Sequence, residues 1–270
     1  MSVKTIAVTG GKGGVGKSNV AVNLATVLGS MGQAVTLIDA DFGLANIDVL
    51  LGLTPKFTLN DFFSGACEIK DLLLLGPNNI HIVPGGSGIQ SLTELNSLQQ
   101  NMLIQALSYS KKTDVLIIDT AAGIGRNVTQ FACACQEILI VLCHEPTSLA
   151  DAYALIKVLS RQPGTRKFRI LCNQVNGIIE GQHLFDKLLR TTDRFLDVHL
   201  TFEGIIPFDD AIRKAVRRQK SVVTLFPKSN ATAAFNSLAC RVQRWQPSLN
   251  SIGGLQFFFE NLVIPHSESA

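Results

Sequence analysis

The chain has 270 residues, a formal net charge of +3, 46% hydrophobic residues and 17% charged residues. The hydrophobic and charged fractions exclude a disordered chain. The small net charge does not by itself indicate a nucleic-acid coat or an acidic partner. The length suits one α/β domain or two small ones. No run approaches the ~20 apolar residues of a membrane span, and no apolar signal-peptide segment precedes the first predicted strand. We therefore expect a cytoplasmic protein, at most peripheral at the inner face of the membrane or at the cell pole.

Short apolar, β-branched runs alternate with helical patterns along the chain. The predicted strands are Ile6–Thr9, Val35–Ile38, Ile80–Pro84, Val115–Ile118, Ile138–Cys143 and Arg169–Cys172. The predicted helices are Asn19–Met31, Leu98–Ser108, Leu149–Leu159 and Gly181–Leu189. Strands that are apolar throughout are typical of a sheet covered by helices on both faces. The sequence therefore predicts an α/β fold with a mainly parallel, doubly wound sheet flanked by helices.

A glycine-rich loop between the first strand and the first helix carries the strongest motif. It consists of Gly11, Lys12, Gly13, Gly14, Val15, Gly16, Lys17 and Ser18, which matches G-x-x-x-x-G-K-[ST] in the required context. Glycines allow backbone N–H groups to surround phosphate oxygens, and the helix N-terminus favours negative charge. We expect Lys17 to reach the β- and γ-phosphates of a nucleotide and the Ser18 hydroxyl to ligate Mg²⁺.

Carboxylates follow two of the predicted strands. Asp39 and Asp41 follow Val35–Ile38, and Asp119 follows Val115–Ile118. The carboxyl ends of parallel strands meet at one edge of a sheet, so these acids should face the phosphates. Asp119 suits a magnesium-holding role, with Asp39 as a second metal candidate beside Ser18. Asp41 is the best candidate to position an attacking water, although charge alone does not separate it from Asp39.

Lys12 is a second lysine inside the phosphate loop, and with it the chain resembles the deviant Walker A family of MinD and ParA ATPases, whose signature is KGGxxGK[ST]. The resemblance implies hydrolysis of ATP to ADP with Mg²⁺, and a homodimer in the ATP-bound state in which Lys12 reaches the partner's nucleotide. It also favours Asp41 over Asp39 as the catalytic acid. Adenine contacts are implied at Asn173, Pro207 and Asp209.

Five segments resemble one branch of that family, the flagellar-number regulators (FlhG, also called FleN). They are Asp39–Leu53, Gly76–Gly88, Asp119–Gly125, Glu145–Lys157 and Lys214–Pro227. The resemblance implies a switch that binds and restrains an enhancer-binding transcription activator of flagellar genes. Many members of the branch carry an N-terminal extension that is proposed to stimulate an SRP-type GTPase. This chain begins only a few residues before its first strand, so the resemblance supports that GTPase as a partner less than it supports the activator.

Three alternatives remain open from the sequence. A ParA-like ATPase would bind DNA non-specifically through the basic residues Arg213, Lys214, Arg217, Arg218 and Lys220. A MinD-like ATPase would position cell division instead. A carrier of metal clusters would need thiolate ligands, for which Cys133 and Cys135 form the only close pair in the sequence.

The sequence predicts that the last residues of the chain form a separate unit. We predict an ATPase domain over residues 1–247 and a linker with a short amphipathic tail over residues 248–270. The tail has a helical stripe of Leu255, Phe258, Phe259, Leu262 and Val263. It contains neither Lys nor Arg, so we expect only weak membrane binding that needs two tails per dimer. The alternative is that the stripe packs onto its own domain.

Overall fold

A computed structural model describes residues 3–42, 44–86, 99 and 113–245. Its strands are β1 (Lys4–Thr9), β2 (Val35–Ala40), β3 (Leu74–Leu75), β4 (His81–Val83), β5 (Val115–Thr120), β6 (Glu137–Cys143), β7 (Lys167–Val175) and β8 (His199–Pro207). They form one eight-stranded sheet in the order β3-β4-β2-β5-β1-β6-β7-β8. All neighbouring strands pair in parallel except β3, which is antiparallel to β4.

Helices occupy the connections between the strands. They are α1 (Lys17–Ser30), α2 (Ile47–Leu51), α3 (Leu59–Phe63), α4 (Ile69–Leu72), α5 (Arg126–Ala134), α6 (Pro146–Leu159), α7 (Ile178–Phe195), α8 (Asp210–Arg217), α9 (Val222–Leu225) and α10 (Asn230–Arg244), with a 3₁₀ turn at Pro77–Asn79. No helix among the described residues is long and apolar enough to cross a bilayer.

The core consists of two apolar layers, one on each face of the sheet. Alternate residues of a strand point to opposite faces, so Ile6 and Val8 of β1 belong to the layer under α1 and α10, whereas Ala7 belongs to the layer under α5 and α6. Both layers are closed to solvent, which explains why the central strands are apolar at every position. The predicted α/β class is confirmed.

Every predicted strand is present, with ends shifted by a few residues. The apolar run Gly204–Ile206 is the end of a nine-residue strand, β8. Helices α5 and α10 were not predicted from the sequence, although α10 covers a large part of one layer. The predicted helix Leu98–Ser108 and the tail over residues 248–270 lie outside the described residues, apart from Gln99. The predicted boundary after residue 247 therefore stays a prediction.

Candidate nucleotide-binding site

The phosphate loop joins β1 to α1, and its glycines are required by what packs against them. A Cβ at Gly11 would lie 2.2 Å from the backbone carbonyl of Asp151 in α6, and a Cβ at Gly16 would lie 2.3 Å from Nδ2 of Asn173. Gly16 also has φ +91°, a conformation that other residues rarely adopt. By contrast, a Cβ at Gly13 or Gly14 would meet no atom within 4 Å, so the loop is packed on one side and open on the other.

Lys17 is the first residue of α1 and points into the site. Its side chain is only 7% exposed, and burial lowers the pKa of its ammonium group, while the charges of Asp119 and Asp41 oppose that shift. A buried cation with two acids nearby is poised to exchange those acids for phosphate oxygens. The structure thus places Lys17 and Asp119 together, as the sequence predicted.

Asp119 lies near the end of β5 and is almost fully buried. Burial raises the pKa of its carboxyl from 3.8 to about 8, with repulsion from Asp39 as the next cause, and a hydrogen bond from Ser18 partly offsets both. Its Oδ1 has no hydrogen-bond partner among the described residues. A buried carboxylate oxygen without a partner costs free energy that a cation would recover, so Asp119 and Ser18 fit a magnesium ion.

The described residues contain no cluster of three or more His, Cys, Asp or Glu side chains arranged to hold a metal ion. This agrees with the small donor set expected beside a phosphate loop, where phosphate oxygens supply the remaining ligands.

Asp39 is also buried, but its oxygens are occupied. Oδ2 accepts from the backbone N–H groups of Asn46 (2.8 Å) and Ile47 (3.0 Å), and Oδ1 accepts from that of Asp41 (3.2 Å). Burial raises the pKa of Asp39 to about 6, and these hydrogen bonds act against the rise. Its predicted part in holding magnesium stays a prediction.

Asp41 lies just beyond β2 and is half-buried. Its Oδ1 accepts from the backbone N–H of Leu44 at 3.3 Å, and its charge acts on both Lys17 and Asp119. The structure therefore brings the predicted catalytic acid to the same edge of the sheet as the phosphate loop.

The residues implied to contact adenine lie at the ends of β7 and β8. Asn173 donates from Nδ2 to the carbonyl of Val15 at 2.7 Å, which supports the phosphate loop directly. Asp209 follows Pro207 and accepts from the backbone N–H groups of Ala211 (2.8 Å) and Ala231 (3.0 Å), so it caps α8 and steadies the start of α10. Both side chains thus have structural partners, and their adenine contacts stay predictions.

Lys12 has partners at the start of α6 rather than the acids that surround Lys17. Its ammonium group forms an ion pair with Glu145 and donates to Oγ1 of Thr147 at 2.9 Å. The hydrogen bond with Glu145 is the main cause that raises the pKa of Lys12. Sequence reasoning missed Glu145 and Thr147 as partners, although both lie at the carboxyl end of β6, where a parallel sheet gathers its functional groups.

The close cysteine pair lies at the end of α5. Cys135 is buried in the apolar layer, and Cys133 is partly buried against it. Burial raises the pKa of Cys133 to about 11 and that of Cys135 well above its ordinary value, so both thiols favour the neutral form in the ligand-free chain. The carrier alternative stays a prediction.

This topology, with a glycine-rich phosphate loop between β1 and α1, defines a P-loop nucleoside triphosphatase. A family model described as "ParA: NUBPL iron-transfer P-loop NTPase" matches residues 2–243. The chain therefore belongs to the ParA family of P-loop NTPases, and its resemblance to the MinD and ParA ATPases is confirmed.

Two individual relatives and one solved structure show which members of the family the chain is similar to. The chain is 55% identical over 262 residues to the antiactivator FleN of Pseudomonas aeruginosa. The matched residues cover 97% of this chain and 94% of that protein. It is 28% identical to the flagellum site-determining protein YlxH of Helicobacter pylori, over 97% and 90% of the two chains. The septum site-determining protein MinD of Pyrococcus horikoshii, solved with Mg-ADP, shares the fold with a TM-score of 0.72, 24% identity and coverage of 90% and 96%.

Proposed function

We propose that the protein is an ATP-dependent dimerisation switch that hydrolyses ATP slowly and regulates flagellar number or placement by restraining a flagellar transcription activator. The observation that carries the switch is the pairing of Lys12, which lies in the phosphate loop yet contacts Glu145 and Thr147 and is half-exposed. The similarity to FleN and YlxH supports the flagellar role.

ATP binding follows from the loop. Its open side accepts phosphates against backbone N–H groups, and Lys17 neutralises the β- and γ-phosphates. Ser18 and Asp119 would hold Mg²⁺, which neutralises phosphate charge when bound. Asp41 would orient the attacking water, and hydrolysis leaves ADP and phosphate.

Dimerisation is supported by the same edge of the sheet. The segments that follow the parallel strands expose large apolar side chains there, in loops or at the start of α7, namely Leu44 at 72%, Ile124 at 52%, Ile178 at 58%, Ile179 at 72% and Phe208 at 56%. An apolar rim around a polar nucleotide site is typical of a surface that another protein covers. A second copy facing this edge would place its own Lys12 near the first copy's nucleotide.

The main test uses Asp41→Ala. This variant should keep ATP affinity, because Lys17 and the loop are intact, and should accumulate as a dimer because hydrolysis no longer resets it. Size-exclusion chromatography with light scattering, in ATP and Mg²⁺, measures both states. Asp48→Ala serves as the control, since the Asp48 carboxylate accepts only from the backbone of Val49 among the described contacts. A monomeric Asp41→Ala protein with bound ATP would contradict the proposal.

The partner is tested separately. We expect the ATP-bound dimer, and not the ADP-bound monomer, to bind the enhancer-binding activator, and deletion of the gene to raise the number of flagella per cell. Normal flagellation after deletion would remove the flagellar role while leaving the ATPase intact. An SRP-type GTPase is a further partner to test, by measuring whether the dimer raises its turnover.

One observation favours a second candidate, a ParA-like ATPase that binds DNA. Helix α8 and the turn after it expose Arg213, Lys214, Arg217, Arg218 and Lys220, and none of them forms an ion pair within the described part of the chain. Free cations on one surface can neutralise phosphates of a duplex. Steeply salt-dependent binding of arbitrary DNA by the ATP-bound protein would support this candidate over the flagellar switch.

Membrane contact through the tail is a proposal that rests on its sequence alone. Liposome sedimentation with ATP, comparing the full chain with one ending at Ser251, tests it. Equal sedimentation of the two chains would show that the tail does not bind lipid.

A further inference from the structure

The loop that carries Asp41 is closed by a side chain at its base. Asp39 lies at the end of β2 and holds the backbone N–H groups of Asp41, Asn46 and Ile47, so one carboxylate binds both ends of the loop. Ile47 is fully buried and begins α2, whose first N–H groups have no partner within the helix. The carboxylate of Asp39 therefore ties the start of α2 to the end of β2.

A neighbouring acid shows a different pattern. Asp119 lies directly beside Asp39 in the pairing of β2 with β5, and both side chains are 1% exposed. Yet Asp119 keeps one oxygen without any partner among the described residues, whereas both oxygens of Asp39 accept from backbone N–H groups. Oδ2 of Asp39 accepts two hydrogen bonds and is a poor cation ligand, because a cation would have to displace them. Oδ1 accepts one longer bond, at 3.2 Å, and that bond holds the backbone of Asp41 itself.

The loop is also backed closely from the adjoining strand. A Cβ at Gly85, just beyond β4, would lie 2.8 Å from Cβ of Ala45 and 2.9 Å from the carbonyl oxygen of Asp39. Ala45 and the backbone of Asp39 therefore pack closely against the segment that follows β4, which leaves no room for a side chain at Gly85.

We propose that Asp39 is a positioning residue that fixes the backbone of Asp41, Asn46 and Ile47 and so sets the place of the Asp41 carboxylate, rather than a ligand of magnesium. This inference rests on the proposed function, in which Asp41 orients the attacking water. Misplacing a catalytic group by about 1 Å is enough to slow a reaction on the order of 100-fold.

The test is Asp39→Asn, which keeps the size of the side chain but replaces one acceptor oxygen with an amide donor. We expect kcat to fall by about tenfold or more, while the ATP dissociation constant and the Mg²⁺ concentration for half-maximal activity each change by less than about twofold. Hydrogen exchange of the peptide covering residues 41–47 should become about tenfold faster with nucleotide bound. Asp39→Ala should give the same Mg²⁺ requirement with faster exchange still.

Asp119→Asn is the reference for a ligand, and its Mg²⁺ requirement should rise at least about tenfold. A rise of that size in Asp39→Asn, with exchange of residues 41–47 unchanged, would overturn the inference and make Asp39 a ligand. Unchanged kcat in Asp39→Asn would also overturn it. The proposed function would be contradicted by a different result, namely normal hydrolysis in Asp41→Ala. In that case the exchange measurement on Asp39→Asn would still test whether Asp39 fixes the backbone of Asp41, Asn46 and Ile47.

Discussion

The two lysines of the phosphate loop lie five positions apart and have opposite surroundings. Lys17 is 7% exposed, and burial lowers its pKa while Asp119 and Asp41 counteract this. The side chain of Lys12 is 35% exposed, and the hydrogen bond with Glu145 raises its pKa. Lys17 is enclosed by its own chain, whereas Lys12 is held at the surface by a partner from α6 and its N-terminal loop.

These surroundings separate the two lysines by how easily their contacts can be exchanged. Lys17 begins α1 and is buried beside Asp119, so only a group that enters its own pocket can replace that acid. The ion pair of Lys12 with Glu145 is exposed and can be exchanged at little cost. Under the proposed function, this pair would hold Lys12 in the monomer and release it to a second copy.

The largest effect is expected at Lys17. Lys17→Ala should weaken ATP binding on the order of 100-fold, because a charge-assisted contact with phosphate is worth up to about 3 kcal/mol. Isothermal titration calorimetry with Mg-ATP measures this directly. Lys17→Arg is the matched variant and should recover only part of the affinity, since the site fits a compact ammonium group. ATP affinity within twofold of wild type in Lys17→Ala would break the assignment of the pocket.

Lys12 should show a split between binding and turnover. Lys12→Ala should bind ATP within about threefold of wild type, since the side chain pairs with Glu145 and Thr147, but should not dimerise and should hydrolyse ATP about 10- to 100-fold more slowly. Calorimetry paired with light scattering and a phosphate-release assay separates these steps. Full activity in Lys12→Ala would place the protein among P-loop ATPases that act as single chains, and would erase the contrast with Lys17.

Sequence reasoning reached the phosphate loop, the two strand-end acids and the parallel sheet because each depends on local order along the chain. It did not find Glu145 and Thr147, which contact Lys12 from the start of α6, more than 130 positions along the chain. It named Asp39 as a metal candidate together with Asp119 and could not separate Asp39 from Asp41 by charge. Only the packed structure shows that both oxygens of Asp39 accept backbone N–H groups, whereas Oδ1 of Asp119 has no partner among the described residues. Helix α10 was not predicted because its amphipathic pattern includes few large apolar residues.

The acid that faces Lys17 should give the ligand-free protein an unusual dependence on pH. The pKa of Asp119 is raised from 3.8 to about 8 in the folded chain, so between about pH 4 and 8 the folded state holds a proton that the unfolded state has released. Stability should therefore fall as pH rises through that window. In urea unfolding without nucleotide or Mg²⁺, we expect wild type to lose on the order of 4 kcal/mol more than Asp119→Asn between pH 5 and 8. Equal slopes for the two proteins would show that Asp119 is already ionised.

The smallest expected effect tests whether Glu145 holds Lys12 back. Glu145→Gln removes the charge of the partner but keeps its size, so Lys12 should leave α6 more readily and the ATP-bound dimer should form at about two- to fivefold lower protein concentration. The turnover of each dimer should stay the same, because Glu145 contacts only Lys12 among the described ion pairs. The advantage should shrink in high salt, which already screens an exposed pair. Glu68→Gln, which breaks the exposed pair with Lys70, is the control and should change nothing. If Glu145→Gln instead weakened the dimer, Glu145 would belong to the interface itself, and the ion pair seen within one chain would be the arrangement that a second copy takes over rather than one that opposes it.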